Sequence, residues 1–413
     1  MSKCSCNHDN DLDNEYTVDN GRRRFMLDSM AAGGLATLLS TAGMMSQAVA
    51  SSPDNVVRIG YLPITDATPL LVAHARGYFE EEGLEVAQPE LIRGWSPLVE
   101  GFVRGRFNLV HLLKPIPIWM RYNNDFPVKL MAWAHINGSA LLVQGSSTAE
   151  DFGDLGGTQI AVPYWYSVHN TLLQMALRDA GLKPVIQDQN DPLDDDEVNL
   201  LIMPPPDMAP ALAAGRIDGY TVAEPFNAAG ENLANGRLLR FTGDIWKNHP
   251  CCVLCMNEEQ VDANPEWTQK IMNALVRAQL YAQNNKEETA RMLSRDGEGY
   301  LPMPAEVVVR AMTHYDVEDY ASPSAIRHSD WGTGRIDFSP YPYPSATREL
   351  VRAMNKTLVG GDATFLEGLD PDFVARDLVD DRFVKAALEK YPDAHLSGMD
   401  QANPWEREEV IKL

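Results

Sequence analysis

The chain has 413 residues, 45% hydrophobic and 23% charged, with 29 Gly and 27 Pro, a globular composition that excludes wholesale disorder, collagen-like repeats and coiled coil. A formal net charge of −23 argues against nucleic acid as a partner, because binding it needs a basic patch. Acidity leaves small ligands open, since a cleft can be locally positive inside an acidic shell.

Residues 1–21 are polar and unpatterned. Arg22-Arg23-Arg24-Phe25-Met26-Leu27 follows, then a weakly apolar stretch over 30–45 that ends at Ala48-Val49-Ala50, a small-x-small site suited to signal peptidase. Paired arginines ahead of Phe and an aliphatic resemble a twin-arginine export signal. Residues 1–50 are read as that signal, the other reading being an uncut anchor, and the mature protein is expected to be periplasmic from about Ser51. Cys4 and Cys6 would leave with it. Cys251, Cys252 and Cys255 remain, too few and too close for a disulfide framework.

After residue 55 short apolar runs alternate with amphipathic helices, the signature of a parallel α/β sheet. Strands are predicted over 56–62, 84–92 and 107–113, a helix over 67–82 closed by Gly83, and a long extended stretch over 128–143. From about residue 158 the pattern restarts, with a strand over 159–163, a helix over 168–180 and a strand over 198–203. Gly105-Arg106-Phe107-Asn108 is followed by Pro115-Ile116, and Gly215-Arg216-Ile217-Asp218 by Pro225-Phe226, at a constant offset of 110 residues. Duplication explains this. Each block delivers a loop at the carboxyl end of a parallel strand, where open α/β sheets bind ligands. Strands over 238–242 and 253–257 and helices over 265–284 and 286–294 come next. An irregular wrap over 320–344 leads to helices over 346–358 and 371–390, expected on the first lobe. Residues beyond 392 read as a loose tail.

Two lobes with duplicated cleft loops behind an export signal resemble a type II periplasmic solute-binding protein. Arg58-Ile-Gly-Tyr-Leu-Pro-Ile-Thr65-Asp66-Ala-Thr-Pro-Leu71, Ala75-Arg-Gly-Tyr-Phe79, Gly94-Trp95, His111-Leu-Leu-Lys-Pro-Ile-Pro117, Asn137-Gly138, Ala223-Glu224-Pro225-Phe226-Asn227 and Trp246-Lys-Asn-His-Pro250 narrow this. Together these runs look like the nitrate/bicarbonate-binding proteins, over roughly residues 56–293. The wider relatives are the sulfonate- and taurine-binding proteins and the thiamin-pyrimidine synthase group. The resemblance implies an α/β fold with a ligand cleft between two lobes, the first from 56–143 plus 246–344, the second from 144–245, with 345–413 as C-terminal helices and tail. It also implies capture of a small anion (nitrate, nitrite, cyanate or bicarbonate) by lobe closure, and delivery to an ABC permease and its ATPase at the inner membrane. An organosulfonate ligand, or a metal- or cofactor-using thiamin-pyrimidine synthase, is the alternative.

Two positions depart from the nitrate pattern. After Asn-Gly those proteins place a Gln, where Ser139 stands here; two residues after His-Pro they place a Lys, where Cys252 stands. The synthases need a His four residues after a Lys, and counting from Lys114 reaches Ile118, so that reading loses its donor.

Thr65 opens the first helix, where a hydroxyl beside helix N-terminal amides suits an anion, although it also reads as a plain cap. Trp95 can stack on a planar ligand and donate its N–H. Ser167 reads as an N-cap with His169 in the first turn behind it. The ligand is expected between Thr65 and Trp95 on one lobe and Ser167 and His169 on the other, with Ser139 and Cys252 lining the pocket. Lys114, on the first duplicated loop, or His169 would supply the charge. Glu224, on the second loop, is expected to receive backbone amides or Lys114. Three cysteines in five residues is a ligand-like density for zinc or iron, but alternation along a strand lets at most two of Cys251, Cys252 and Cys255 share a metal. They are read as small buried residues filling the sheet, and no cofactor is expected. Gly-x-Ser-x-Gly, Walker and His-Glu-x-x-His motifs are absent from the sequence, so hydrolase and nucleotide chemistry have no support.

Overall fold

Parallel strands covered on both faces are continuous apolar runs, and β5 (Leu109–Leu113) and β12 (Gly219–Ala223) are buried at every position. Each is the centre of a sheet. The computed structural model describes residues 55–392, 394, 398–400 and 402–413; the export signal read over 1–50 lies outside them.

The elements are mixed α/β. β1 (Val56–Val57) pairs with β3 (Glu85–Val86) in a short ribbon. One sheet of five strands has the order β4-β2-β5-β14-β6, from β2 (Ile59–Tyr61), β4 (Glu90–Leu91), β5, β6 (Val128–Trp133) and β14 (Cys252–Asn257). The second, of six strands, has the order β10-β11-β9-β12-β8-β13, from β8 (Ser139–Gln144), β9 (Thr158–Val162), β10 (Lys183–Val185), β11 (Glu197–Ile202), β12 and β13 (Gly236–Phe241).

The two orders repeat one plan. In the first sheet β2 is parallel to β4 and β5, and β14 runs antiparallel beside β5. In the second β9 is parallel to β11 and β12, and β8 runs antiparallel beside β12. The antiparallel strand in each case belongs in sequence to the other half, so the chain crosses between the sheets twice. The duplication seen at an offset of 110 residues thus extends to whole sheets. Its two turns are built alike, with Gly105 at φ 72° and Gly215 at φ 65°, a left-handed backbone in which side chains other than glycine are strained.

Helices flank both sheets. Trp95–Val103 packs on β2 and β5, and Val168–Asp179 on β10 and β12. Pro265–Asn284 buries Trp267, Ile271, Met272, Leu275 and Val276 against Thr68–Ala75 and Arg382–Leu388.

Four expectations need correcting. The extended stretch over 128–143 is three pieces, because Asn137 (φ 58°) and Gly138 (φ 77°) turn the chain after β7 (Ile136–Asn137), which pairs with β15 (Ile336–Asp337). A Cβ on Gly138 would stand 3.0 Å from both His135 Nδ1 and Ile336 Cδ1, so space and backbone both demand glycine. The helix expected over 67–82 breaks at Gly77 into Thr68–Ala75 and Tyr78–Glu81. The C-terminal helices do not all lie on the first sheet: Arg382–Leu388 does, whereas Pro344–Met354 touches helix Val168–Asp179 of the second. Of the residues expected to be a loose tail, the described segment 402–413 is instead docked. Trp405 packs on Tyr341 at 4.7 Å, Ile411 bridges to Trp246, and Glu409 accepts from the Trp246 indole at 2.7 Å.

Candidate functional site

The carboxyl ends of the parallel strands of the two sheets meet, as the doubled topology requires. From the five-stranded sheet, the segment after β2 supplies Thr65 and Asp66, β5 supplies His111, the residue after Ala134 beyond β6 is His135, and the approach to β14 supplies Cys251 and Cys252. The six-stranded sheet supplies Ser139 at the start of β8, opposite Ala223 at the end of β12. His169 follows in the first turn of Val168–Asp179, whose N-cap is Ser167, its hydroxyl accepting from Asn170 N at 3.0 Å. All of these side chains are buried.

They form one chain of contacts from sheet to sheet. Ser139 Oγ lies 2.8 Å from His169 Nε2, and Cys251 Sγ lies 3.6 Å from Ser139 Oγ and 3.8 Å from His169 Nε2. On its other side Cys251 Sγ donates to Asp66 Oδ2 at 3.6 Å, and that oxygen is 2.9 Å from His135 Nε2. His111 Nε2 accepts from Leu62 N at 3.0 Å, and its ring meets Trp95 edge-on at 5.6 Å between centroids. Trp95 is 3% exposed, and its indole nitrogen has no hydrogen-bond partner among the described residues.

Burial dominates the electrostatics. It pushes the Asp66 carboxyl up, with His135 pulling it back. Burial, the largest single influence, would lower His135, but the charge and hydrogen bond of Asp66 together with those of Cys251 lift the imidazole to about 10. His111 has no such partner and falls to about 3, through burial and then the His135 charge. Burial also opposes a charge on Cys251, yet the Cys252 hydrogen bond and the His169 and His135 imidazoles hold this thiol well below its ordinary range. Cys252 goes up, by burial and then by its hydrogen bond with Cys251. The group therefore sets a lowered thiol and a raised imidazole beside a buried carboxyl group. Such a set accepts protons and coordinates cations more readily than it attracts anions.

The structure places the other sequence candidates as follows. Thr65 is not free to donate: its amide and hydroxyl both bond the carbonyl oxygen of Glu224, at 2.8 and 3.0 Å, joining the two sheet ends. The Glu224 carboxylate receives the Ala228 amide at 3.1 Å, as expected, but its charged partner is Arg335 at 2.7 Å, not Lys114. Arg335 also binds Glu231 at 2.9 Å and the Tyr320 hydroxyl at 2.8 Å. Lys114 turns away from this cluster, its ammonium 5.3 Å over the Trp133 ring. It is fully buried with no hydrogen-bond partner among the described residues, and burial pushes it well below the ordinary lysine range. Cys251 and Cys252 approach the same group, because Cys251 precedes the strand and escapes its alternation, while Cys255 stands apart. The aromatic loop at 164–166 crosses to the other half, Tyr166 stacking on Trp119 at 5.7 Å.

Asp66 and His135 are the members that sequence reading did not single out. The available signal was position: His135 lies two residues beyond β6 and Asp66 in the short helical turn that follows β2.

Comparison with known proteins covers the part of the chain that carries both sheets and the site. A model of the NMT1-like family matches residues 50–294. The chain is 26% identical over 346 residues to a nitrate/nitrite binding protein, NrtA, of Nostoc sp., covering 77% of this chain and 74% of that one. It is 27% identical over 320 residues to NrtC of Synechocystis sp., a nitrate import ATP-binding protein, covering 71% of this chain but only 44% of that relative's length. Among solved structures it is similar to the periplasmic nitrate-binding protein NrtA of Synechocystis, with a TM-score of 0.68 at 19% identity, covering 82% of this chain and 89% of that one.

Proposed function

Starting from a chain that belongs to the NMT1-like family, we propose that it is the substrate-binding component of an ABC importer and that its ligand is a small oxyanion of the nitrate, nitrite, cyanate or bicarbonate class. The ligand would be held in the periplasm between a lobe built on the five-stranded sheet and one built on the six-stranded sheet, the second including β8, so that it begins near residue 139 and not at 144. Similarity to both a nitrate-binding protein and a nitrate import ATP-binding protein supports the importer assignment. The similarity to the second lies in a part that needs no nucleotide site, since this sequence carries no Walker motif. The ATPase and its permease are then the partners.

One observation carries the ligand class: the Trp95 indole N–H, buried and unpartnered at the junction of the two sheets. A buried donor left unpaired costs about 1–3 kcal/mol, and an acceptor oxygen of a bound anion removes that cost. His169 Nδ1 is a second buried nitrogen without a partner there. The Trp95→Phe variant keeps the ring against His111 and removes the donor. Calorimetric titration of nitrate, nitrite, cyanate, bicarbonate and taurine should find one anion that binds, at least fivefold more weakly to the variant. Equal affinity for wild type and variant would overturn the site; exclusive binding of taurine would overturn the ligand class.

A further inference from the structure

The group at the sheet junction has the composition of a metal site. One ligand atom each from Asp66, His135, Cys251 and Cys252 lie within 4.8 Å of one another, and all four residues are fully buried. Oxygen, nitrogen and two sulfurs is a donor set for zinc and its borderline neighbours; calcium and magnesium take oxygen alone. The observed edges already approach a coordination polyhedron. Asp66 Oδ2 to His135 Nε2 is 2.9 Å and Cys251 Sγ to Asp66 Oδ2 is 3.6 Å, against roughly 3.3–3.8 Å between ligands around tetrahedral zinc. The atoms need to move by no more than about 1 Å. The second carboxylate oxygen, Asp66 Oδ1, is buried with no partner among the described residues, and Asp66 has no ion pair there with any Lys or Arg. A buried carboxylate oxygen left without a partner beside an imidazole and two thiols is what a metal ion explains.

We propose that Asp66, His135, Cys251 and Cys252 bind one thiophilic divalent metal ion, zinc by their donor set. All four come from the rim of the five-stranded sheet. His169 approaches from the six-stranded sheet, its Nε2 3.8 Å from Cys251 Sγ, so the metal sits under the residue that closes over it. The inference stands without the oxyanion reading. It also deepens that reading: a bound cation supplies the positive charge that an anion needs in a cluster of carboxyl and thiol groups. Thiols and imidazole ligate only in their deprotonated forms, so metal uptake releases protons and strengthens with pH.

The test uses the full chain, stripped with a chelator and titrated with zinc chloride alone by calorimetry and metal analysis. One equivalent should bind, and Cys251→Ser and His135→Gln should each weaken binding at least tenfold. Cys255→Ser, a buried thiol outside the group, should bind as wild type. Cobalt offered to the wild-type protein should give a sulfur-to-metal charge-transfer band, which keeps the proposal open to refutation even if a variant fails to fold. Absence of a stoichiometric site, a cobalt spectrum without the sulfur band, or full binding by Cys251→Ser would overturn it. Oxyanion titrations on the metal-free and metal-loaded protein separate the two readings. Anion binding with no metal site defeats only the metal proposal; a metal site with no anion binding in either form defeats only the oxyanion.

Discussion

Arg335 is the counter-ion on which a fully buried carboxylate depends, and replacing it by Met tests that dependence. The guanidinium bonds Glu224 Oε1 at 2.7 Å with neither side chain exposed, and also reaches Glu231. Glu231 keeps Arg310 at 2.8 Å and the Tyr320 hydroxyl at 3.0 Å after the change. Glu224 keeps only the Ala228 amide. Stranding one partner of a buried pair costs about 3–5 kcal/mol, which for a chain of this size is a fall in melting temperature of roughly 4–6 °C. The pH dependence has a definite sign. Burial already holds the Glu224 carboxyl above its usual range, with Arg335 pulling it back; without Arg335 it rises further. A carboxyl raised in the folded state favours folding below its unfolded value, near 4.3, and that contribution is lost as pH rises through the folded value. The deficit of Arg335→Met should therefore be smaller at pH 5 than at pH 7. Adding Glu224→Gln should recover about 2 kcal/mol, since an amide oxygen still accepts from Ala228. Thermal melts of the two variants at both pH values decide it. A single variant that melts within about 1 °C of wild type at pH 7, or a deficit that grows on acidification, refutes the reasoning.

Lys114→Met should raise stability at pH 7 by about 1–3 kcal/mol, because it removes a buried ammonium without an ionic partner. Lys114 is lowered well below its ordinary value, so wild type should gain stability as pH rises from 7 toward 10 and the variant should not; denaturant titrations at both pH values measure this. Arg121 clamps Asp377 at 2.5 Å and Glu258 at 2.7 Å, and holds both carboxyls below their ordinary values. Their contribution is present above about pH 4 and lost as pH falls through the folded values. Arg121→Met should therefore cost about 1–3 kcal/mol at pH 7 and distinctly less at pH 3, read from urea midpoints.

Much of the architecture was legible because it rests on local signals. The repeated Gly-Arg block located both central strands and both turns, and the apolar spacing of Pro265–Asn284 gave that helix its bounds. The composition of the site was less legible. Residues 66, 135 and 251 belong to distant parts of the chain, and only the order β2-β5-β14-β6 brings them to one edge. Alternation limited the cysteines to two at one place, but which two depended on the strand beginning only at Cys252. Lys114 occupies the loop that its sequence context indicates, yet the direction of its side chain is set by Trp133, which nothing local reveals. The final segment lacks periodicity because it docks by single anchors, Trp405 and Ile411, each in its own socket.

The two bonds from Thr65 to the Glu224 carbonyl have a consequence for signalling. Their acceptor is main chain, so they hold the sheet ends together whatever side chain stands at 224 and without contacting cargo themselves. On the importer reading, some empty molecules then wear the shape that announces a full one. A permease that responds to shape alone would be triggered by them, and its ATPase would turn over with nothing delivered. Fidelity must then come from what the cargo adds to the latch, which makes the strength of these two bonds the noise floor of the transport system.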